Sequence, residues 1–289
     1  MDGPKSRGKL TQRLTFTIRK NDDRSKRYCR VLLYGNPGTG KTRAIGQVAL
    51  VPDLQPILFI DVDGGSSTVQ DADNIDWVHD IYTFGQLIEL SRALIRGELE
   101  YKTICIDGLG ALYRQQLNVQ MGQSANAGSD VGIARWQPGV PAQQDYQLAH
   151  NRCTSALDLL KSVPANVFVA TGSSEFKDAT NRVHKRADLP GQMAERIFEY
   201  FDYVGYLYNR VLGKEVQHIA QFVEYGGVFA KERSPKDGGI LGAALNVSDQ
   251  NVAQLIWKAY MTGIKPAELT TTLNRDDQIA GDASPTAVN

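Results

Sequence analysis

The sequence predicts a doubly wound α/β fold whose mostly parallel sheet carries an antiparallel extension near the C-terminus. Three observations predict it. Short apolar runs of strand length alternate with stretches of helical spacing from about residue 30 to 205. A glycine-rich phosphate-loop motif follows the first of these runs, and acidic residues end two of the later ones. Beyond residue 200, strand-like runs follow one another with only turn residues between them.

Four continuous apolar runs have the length and composition of strands buried on both faces of a parallel sheet. They are RVLLYG (30–35), PILFID (56–61), TICID (103–107) and NVFVAT (166–171), with DWVHDI (76–81) as a weaker fifth. The predicted helices between them are KTRAIGQVAL, TFGQLIELSRALIRG, LGALYRQQLNV and QQDYQLAHNRCTSALDLLKSV. The predicted antiparallel strands are YFDYVGYLYNRV, HIAQFVEY and GVFAKE, and DQNVAQLIWKAYM is a final amphipathic helix.

The chain of 289 residues divides into a basic N-terminal arm (1–28), a core (29–262) and a polar tail (263–289) that we expect to be disordered. The formal net charge is zero, so bulk charge indicates no particular partner. Three cysteines without metal or redox spacing predict a reducing, cytoplasmic setting. No apolar run approaches the roughly 18 residues that span a bilayer, and we expect no membrane partner.

Two long segments interrupt the predicted core, at 121–143 and 172–191. Both are rich in glycine and polar residues and carry no clear strand or helix pattern. Irregular segments of this length are uncommon inside compact domains and are usually functional or disordered. We therefore expect two long loops here, either functional or disordered.

The segment GNPGTGKT (35–42) matches the phosphate-binding motif G-x-x-x-x-G-K-[ST] between a strand and a helix. Its glycines let backbone N–H groups close around phosphates at a helix N-terminus, which favours anions. Lys41 neutralises the β- and γ-phosphate oxygens, and the Thr42 hydroxyl is a Mg²⁺ ligand. The predicted nucleotide-binding residues are Gly35, Asn36, Pro37, Gly38, Thr39, Gly40, Lys41 and Thr42.

An acid, Asp107, ends the strand TICID and is the predicted second Mg²⁺ residue, acting through a water molecule. Many ATP-driven proteins place a catalytic glutamate directly after this aspartate. Here the next residue is Gly108. Either the chain does not hydrolyse ATP, or its catalytic carboxylate lies elsewhere.

The second core strand ends in two acids, Asp61 and Asp63, followed by Gly64-Gly65. Strand alternation predicts that both carboxylates point to one side, with Val62 opposite. They lie at the carboxyl edge of the sheet, where α/β folds bind ligands. We interpret Asp61 as the cap of the following turn and Asp63 as the catalytic base.

Together these features resemble the RecA-type recombinase core, in which the catalytic glutamate ends this same strand, two residues past an aspartate. More specifically, residues 29 to 240 resemble phage-encoded RecA-like P-loop ATPases of the single-strand-annealing recombinase class, often labelled phage AAA-family nucleotide-binding proteins. The segments that carry the resemblance are DVDGG, TICIDGLGALYRQ, DYQLAHNRCTSALDLLKSV, ADLPGQMAERIFEYFDYVGYLY and FAKERSP.

The resemblance implies an ATP-dependent, single-stranded-DNA-binding ATPase of phage recombination or replication, with ATP and Mg²⁺ as cofactors. It implies a homo-oligomer, either ring or filament, in the host cytoplasm, with a single-stranded-DNA-binding protein as a candidate partner. Asp63 is one methylene shorter than the usual glutamate, which puts fast hydrolysis in question. The sequence also lacks the plain Gln or His that senses the γ-phosphate in related proteins. Ser173 and Glu175 are both candidates for this role.

In RecA-type cores, loops at the places of the two long segments line the DNA path. The candidate DNA-binding residues are Arg135, Trp136, Lys177, Arg182, Lys185 and Arg186. The family also uses a K-x-R pair that reaches the γ-phosphate of a neighbouring subunit. The resemblance assigns this catalytic role to Lys231 and Arg233, whereas residue types alone favour an edge strand guarded by charge.

Three other functions are compatible with the phosphate loop. A AAA+ remodelling ATPase or helicase loader would need an Asp-Glu pair and a helical C-terminal lid, where this sequence predicts Gly108 and strands. A small-molecule kinase would need an arginine-rich lid, for which HKRADLPG (184–191) is a poor match. A nucleotide-binding scaffold that does not hydrolyse ATP is also compatible with the sequence, because the side chain of Asp63 is shorter than the usual catalytic glutamate.

Overall fold

A computed structural model describes residues 28–69, 73–126, 140–233 and 240–262. The described strands are Arg30–Gly35 (β1), Ile57–Asp61 (β2), Ile75–Val78 (β3), Thr103–Asp107 (β4), Asn166–Thr171 (β5), Ser173–Lys177 (β6), Val183–Ala187 (β7), Tyr203–Leu212 (β8), Glu215–Gln221 (β9), Lys231–Glu232 (β10) and Leu245–Asn246 (β11). The described α-helices are Lys41–Gly46 (α1), Phe84–Ile95 (α2), Leu109–Asn126 (α3), Gln143–Ser162 (α4), Met193–Arg196 (α5) and Val252–Thr262 (α6).

Nine of these strands form one sheet in the order β11-β9-β8-β1-β5-β4-β2-β3, and β10 pairs with β8. The run from β8 to β3 is parallel throughout. β9, β10 and β11 join by antiparallel pairing. The predicted fold class, an α/β fold with a mostly parallel sheet, is therefore confirmed.

The central strands are buried on both faces because helices cover the sheet from two sides. Along β1, Leu32 and Tyr34 belong to a core that includes residues of α2, α3 and α4. Val31 and Leu33 point the other way, into a core that includes residues of α1 and α6. This alternation explains why β1, β2, β4 and β5 are uninterrupted apolar runs.

Parallel register brings the functional ends of the strands to one edge. Asp61 is the Cα partner of Asp107, and Asp107 is the partner of Ala170. Tyr34, directly before the phosphate loop, is the partner of Thr171. The phosphate loop and both acidic strand ends therefore share the carboxyl edge of the sheet.

The expected loop at 172–191 is wrong, because this segment contains an antiparallel hairpin of β6 and β7. Asp178 stabilises its turn, accepting hydrogen bonds at Oδ1 from the N–H groups of Thr180 and Arg182. Asn181 takes a left-handed conformation with φ 64°. Polar residues occur on both faces of this hairpin, so its sequence lacks the alternation of apolar and polar residues by which strands are predicted.

The C-terminal region also differs from the prediction in detail. β8 is parallel to β1, so the antiparallel extension begins one strand later, at β9. The first half of β8 is fully buried, as in the other central strands. GVFAKE forms a strand only at its last two residues.

Several expectations concern residues outside the described ranges. They include the arm before residue 28, the tail at 263–289, and both Arg135 and Trp136 in the first long segment. The proposed division into arm, core and tail therefore stays a prediction.

Within the described residues, no helix is long and apolar enough to cross a membrane. The three cysteines are buried and free of disulfides. The same part of the chain contains no cluster of three or more His, Cys, Asp or Glu side chains that could hold a metal ion. A metal at the phosphate loop would therefore depend on other oxygen ligands as well.

Candidate active site

The phosphate loop occupies the turn between β1 and α1, as the motif predicts. Gly40 precedes the helix with φ 85°, a left-handed conformation that favours glycine. The Thr39 hydroxyl donates to the carbonyl oxygen of Asn36 at 2.8 Å, which closes the loop on itself. The N-terminal N–H groups of α1 are thus presented at the carboxyl edge, where they can bind phosphate.

Lys41 lies at the centre of this site. Its ammonium donates to the carbonyl oxygen of Asn36 at 2.8 Å. Burial lowers the pKa of Lys41, while the nearby carboxyl groups of Asp107 and Asp63 act in the opposite direction. The cation, the loop and the two acids from neighbouring strands therefore belong to one electrostatic site.

Thr42 and Asp107, the two residues predicted to hold Mg²⁺, lie close to each other. A Cβ placed on Gly65 would lie 3.3 Å from both Thr42 Oγ1 and Asp107 Oδ2, so the two oxygens border the same point. Asp107 is 3% exposed, and its Oδ2 has no hydrogen-bond partner among the described residues. A buried carboxylate oxygen with spare acceptor capacity beside a hydroxyl fits the oxygen ligands that Mg²⁺ prefers.

Burial raises the pKa of Asp107 from 3.8 to about 6. The neighbouring Thr42 hydroxyl opposes this rise in pKa, and the carboxyl groups of Asp63 and Asp61 add to it. A cation at this point would favour the ionised form of Asp107.

Asp61 and Asp63 have different surroundings. Asp61 is buried, and its Oδ1 accepts hydrogen bonds from the N–H groups of Gly64 at 2.8 Å and Gly65 at 3.1 Å. The predicted capping role of Asp61 therefore agrees with these contacts. Asp63 lies in the exposed bend after β2, so the strand alternation used to orient it does not apply.

The backbone conformation of Gly108 makes room for Asp63. Gly108 has φ 96°, and a Cβ at this position would lie 2.7 Å from Cγ of Asp63 and 3.0 Å from its Oδ2. The Asp63 carboxyl group therefore fills the space beside position 108, next to Asp107. The carboxyl group that follows the neighbouring strand therefore lies beside the position after Asp107.

Ser173 and Glu175, the two candidate γ-phosphate sensors, differ in their contacts. The Ser173 hydroxyl hydrogen-bonds to the Asn36 side chain in the phosphate loop. Glu175 is exposed and lies 3.8 Å from the ammonium of Lys185 on the facing strand. Because Ser173 contacts the phosphate loop and Glu175 does not, Ser173 is the better candidate for the γ-phosphate sensor.

Sequence reasoning missed a second layer of residues behind the phosphate loop. The Asn209 side chain of β8 donates to the Gly38 carbonyl oxygen at 3.3 Å and contacts His218 of β9. His218 lines a cavity that also includes residues of the phosphate loop. Only the pairing of β8 with β9 places it there, and no local motif marks it.

The predicted DNA-binding cations of the hairpin fall into two groups. Lys177 and Arg182 are exposed beside its turn, and neither forms an ion pair within the described residues. Lys185 lies 3.8 Å from Glu175, and Arg186 lies 3.0 Å from Glu195 and stacks over the Phe176 ring. Paired cations contribute less to binding phosphate, so among these four hairpin residues Lys177 and Arg182 are the better candidates.

The predicted finger residues Lys231 and Arg233 lie far from the phosphate loop of their own chain. Lys231 pairs with Val204 at the amino end of β8 and donates to the carbonyl oxygen of Phe198. Arg233 forms an ion pair with Asp202 at 3.1 Å and is 64% exposed. The phosphate loop follows the opposite end of β1, roughly 15 Å along the strands.

The fold and the phosphate loop define a P-loop nucleotide-binding protein of the α/β class. A protein-family model described as an AAA domain matches residues 27–234. The match covers most of the chain, and the protein belongs to this AAA-type P-loop ATPase family. Comparison with curated proteins finds no match. Family membership implies nucleotide binding, typically with Mg²⁺.

Proposed function

We propose that the protein is a RecA-like ATPase of the phage single-strand-annealing recombinase class, which hydrolyses ATP while bound to single-stranded DNA. The observation that carries the proposal is the carboxyl group of Asp63 beside Gly108. It supplies a candidate catalytic base where the residue after Asp107 provides none. A scaffold that only bound nucleotide would not need this arrangement.

In the proposed reaction, the phosphate loop and Lys41 hold the triphosphate at the N-terminus of α1. Thr42 and Asp107 would hold Mg²⁺, which neutralises charge on the phosphate oxygens when bound. Asp63 accepts a proton from the attacking water. Ser173, in contact with Asn36, is the candidate that senses the γ-phosphate.

Support for DNA binding comes from the hairpin of β6 and β7. Lys177 and Arg182 are exposed beside its turn, and neither side chain forms an ion pair within the described ranges. Such charge attracts nucleic-acid phosphates without sequence preference. Lys185 and Arg186 are secondary contacts because both have acidic partners. Arg135 and Trp136 stay predictions for the first segment.

Support for a homo-oligomer comes from the position of Lys231 and Arg233 at the amino end of β8, away from their own phosphate loop. If they act on ATP, they do so on a neighbouring subunit. A cation supplied in this way can raise the rate by roughly 10³-fold or more. The proposed active site therefore lies between two copies of the chain.

A remodelling ATPase or helicase loader is the second candidate, favoured by the description of the family as an AAA domain. Such a protein would respond to a protein partner and not to naked DNA. The described C-terminal region argues against a helical lid, because β8, β9, β10 and β11 precede the single helix α6.

The experiment is ATP hydrolysis with and without single-stranded DNA, at low and moderate salt. We expect stimulation by DNA that decreases with salt, because phosphate contacts release counterions. Lys177→Ala with Arg182→Ala should weaken the stimulation. The matched control is Arg92→Ala with Lys214→Ala, which removes one arginine and one lysine, both exposed elsewhere.

Two results would reject the DNA proposal. One is hydrolysis that no DNA length or concentration stimulates. The other is stimulation that survives loss of all four hairpin cations, Lys177, Arg182, Lys185 and Arg186. Stimulation by a protein partner in the absence of DNA would support the remodelling candidate.

A further inference from the structure

The turn of the β6–β7 hairpin carries an acidic residue between its two exposed cations. Asp178 directly follows Lys177, and its N–H donates to the carbonyl oxygen of Arg182 across the turn at 3.0 Å. Electrostatics alone predicts that a carboxylate at this place repels nucleic-acid phosphates and weakens their binding. The contacts of Asp178 indicate the opposite effect.

Both carboxylate oxygens of Asp178 are used within the hairpin. Oδ1 accepts hydrogen bonds from the N–H and the hydroxyl of Thr180, both at 2.7 Å, and from the N–H of Arg182 at 3.1 Å. Oδ2 lies 2.8 Å from Nε2 of His184. Hydrogen bonds from the Thr180 and His184 side chains, the former with the larger effect, hold the pKa of Asp178 well below its usual value. Because an ionised carboxylate can only accept, Nε2 of His184 is the donor.

His184 is itself fixed by an aromatic layer on the same face of the hairpin. Its ring stacks on Phe176 of the facing strand, with 5.1 Å between the ring centroids and 21° between the planes. The ring of Phe229 lies 5.9 Å away on a neighbouring segment. The Tyr34 hydroxyl donates to the carbonyl oxygen of Phe229 at 2.5 Å, so this segment is bound to the end of β1. The turn is therefore tied, through one carboxylate, to a packed part of the fold.

We propose that Asp178 and His184 are positioning residues that hold the turn in the shape in which its cations meet the phosphates of single-stranded DNA. The cations concerned are Lys177 and Arg182. The proposal rests on the DNA binding proposed above for this hairpin and adds how the turn is prepared for it. A turn that is already ordered avoids the conformational entropy that a flexible turn loses on binding. An acidic residue in this way strengthens binding to a polyanion.

The two effects of the Asp178 carboxylate depend differently on salt. Its repulsion of phosphates is screened, with a Debye length of about 10 Å at 0.1 M salt and about 8 Å at 0.15 M. The hydrogen bonds that order the turn are local and are not screened in this manner. At moderate salt, the ordering effect should therefore exceed the repulsion.

The test measures the affinity of the full chain for a dye-labelled oligothymidine, with Mg-ATP present, at about 0.15 M salt. Asp178→Ala should bind roughly threefold to tenfold more weakly than the wild-type protein, although it removes a negative charge. The matched control is Glu175→Ala, which removes an exposed acid of the same hairpin that pairs with Lys185. This control makes the same change in charge and leaves the turn intact, so it should bind as tightly as the wild-type protein or more tightly.

Conservative variants separate positioning from a loss of folding. Asp178→Asn carries the same charge as Asp178→Ala but keeps an oxygen acceptor for the N–H groups of the turn, so it should recover most of the lost affinity. His184→Phe keeps the stacked ring and removes the donor to Oδ2, and it should weaken binding. His184→Gln retains a donor and should weaken it less. Thermal unfolding identifies any variant that does not fold, and the two His184 variants serve if Asp178→Ala is unstable.

An affinity of Asp178→Ala equal to that of Glu175→Ala would overturn the proposal, because Asp178 would then act only as a repelling charge. Equal affinities of His184→Phe and the wild-type protein would also overturn it. A failure of the proposed function gives a different result. If the hairpin did not bind DNA, Lys177→Ala with Arg182→Ala would leave the affinity for the oligothymidine unchanged.

Discussion

The Cγ atom of Asp63 lies 2.7 Å from the point that a Cβ on Gly108 would occupy. The two residues follow adjacent strands, and Asp107, which precedes Gly108, is the Cα partner of Asp61. A side chain at position 108 would therefore displace the carboxyl group of Asp63 from its present place. This relationship connects the absence of an acid after Asp107 with the presence of one after β2.

Gly108→Ala should displace Asp63 and reduce ATP hydrolysis more than ATP binding. The new methyl group would overlap the Asp63 carboxyl group, and φ 96° is unfavourable for alanine by roughly 1–3 kcal/mol. Steady-state hydrolysis, nucleotide affinity and thermal unfolding measure the three effects. Gly122→Ala in α3 is the matched control, since a Cβ there meets nothing within 4 Å. Normal turnover in Gly108→Ala would contradict the view that the carboxyl group of Asp63 must occupy the space beside position 108.

Lys41→Ala should reduce hydrolysis by roughly a hundredfold or more, because the phosphate oxygens lose their cation. The nucleotide-free variant should be as stable as the wild-type protein or more so, since burial lowers the pKa of Lys41 and the ammonium is costly to bury. Isothermal titration with Mg-ATP and thermal unfolding check both points. Lys102→Ala, at an exposed site outside the loop, should leave both unchanged. Mg-ATP binding of wild-type strength by Lys41→Ala would contradict the assignment.

The Asp107 carboxyl group should make the stability of the nucleotide-free, Mg²⁺-free protein depend on pH. Burial raises its pKa from 3.8 to about 6, so between these values the folded protein holds a proton that the unfolded chain has released. The contribution of this group to the free energy of unfolding therefore falls as pH rises through that window.

Asp107→Asn removes this titration, so its stability relative to the wild-type protein should rise from pH 5 to pH 7 by on the order of 1 kcal/mol. Urea unfolding of both proteins at the two pH values measures the difference. A stability difference between variant and wild type that is the same at both values would contradict the raised pKa.

Arg233→Ala should bind ATP nearly normally and hydrolyse it poorly, because the proposed finger acts on a neighbouring subunit. Mixing Arg233→Ala with Lys41→Ala should recover part of the activity, since some interfaces then pair an intact phosphate loop with an intact finger. Arg96→Ala, which removes only an exposed pair with Glu98, is the control. Full activity of a monomer at high dilution, or no recovery despite proven co-assembly, would contradict the trans arrangement.

Much of the parallel core could be predicted because its strands are buried on both faces. β4 and β5 have the predicted bounds, and β1 begins and ends where the apolar run does. The phosphate loop was equally predictable, since its function depends on local backbone geometry. In both cases, residues that are close together in the sequence are sufficient for the prediction.

The features that were missed depend on contacts between distant segments. The hairpin of β6 and β7 is polar on both faces, so periodicity does not distinguish it from a loop. The first half of β8 is buried like the other central strands, but its pairing partner β1 lies far away in the sequence. His218 reaches the phosphate-loop cavity only because β9 returns beside β8. The neutralisation of Lys185 and Arg186 likewise depends on Glu175 and Glu195.

The most direct test of the central claim is single-turnover hydrolysis of Mg-ATP by Asp63→Asn and Asp63→Glu. The amide of asparagine cannot accept a proton from water, whereas glutamate retains the carboxylate. We expect Asp63→Asn to bind Mg-ATP with wild-type affinity and to hydrolyse it roughly a hundredfold or more slowly, with Asp63→Glu remaining active. Hydrolysis by Asp63→Asn at the wild-type rate would show that the catalytic carboxylate is not Asp63.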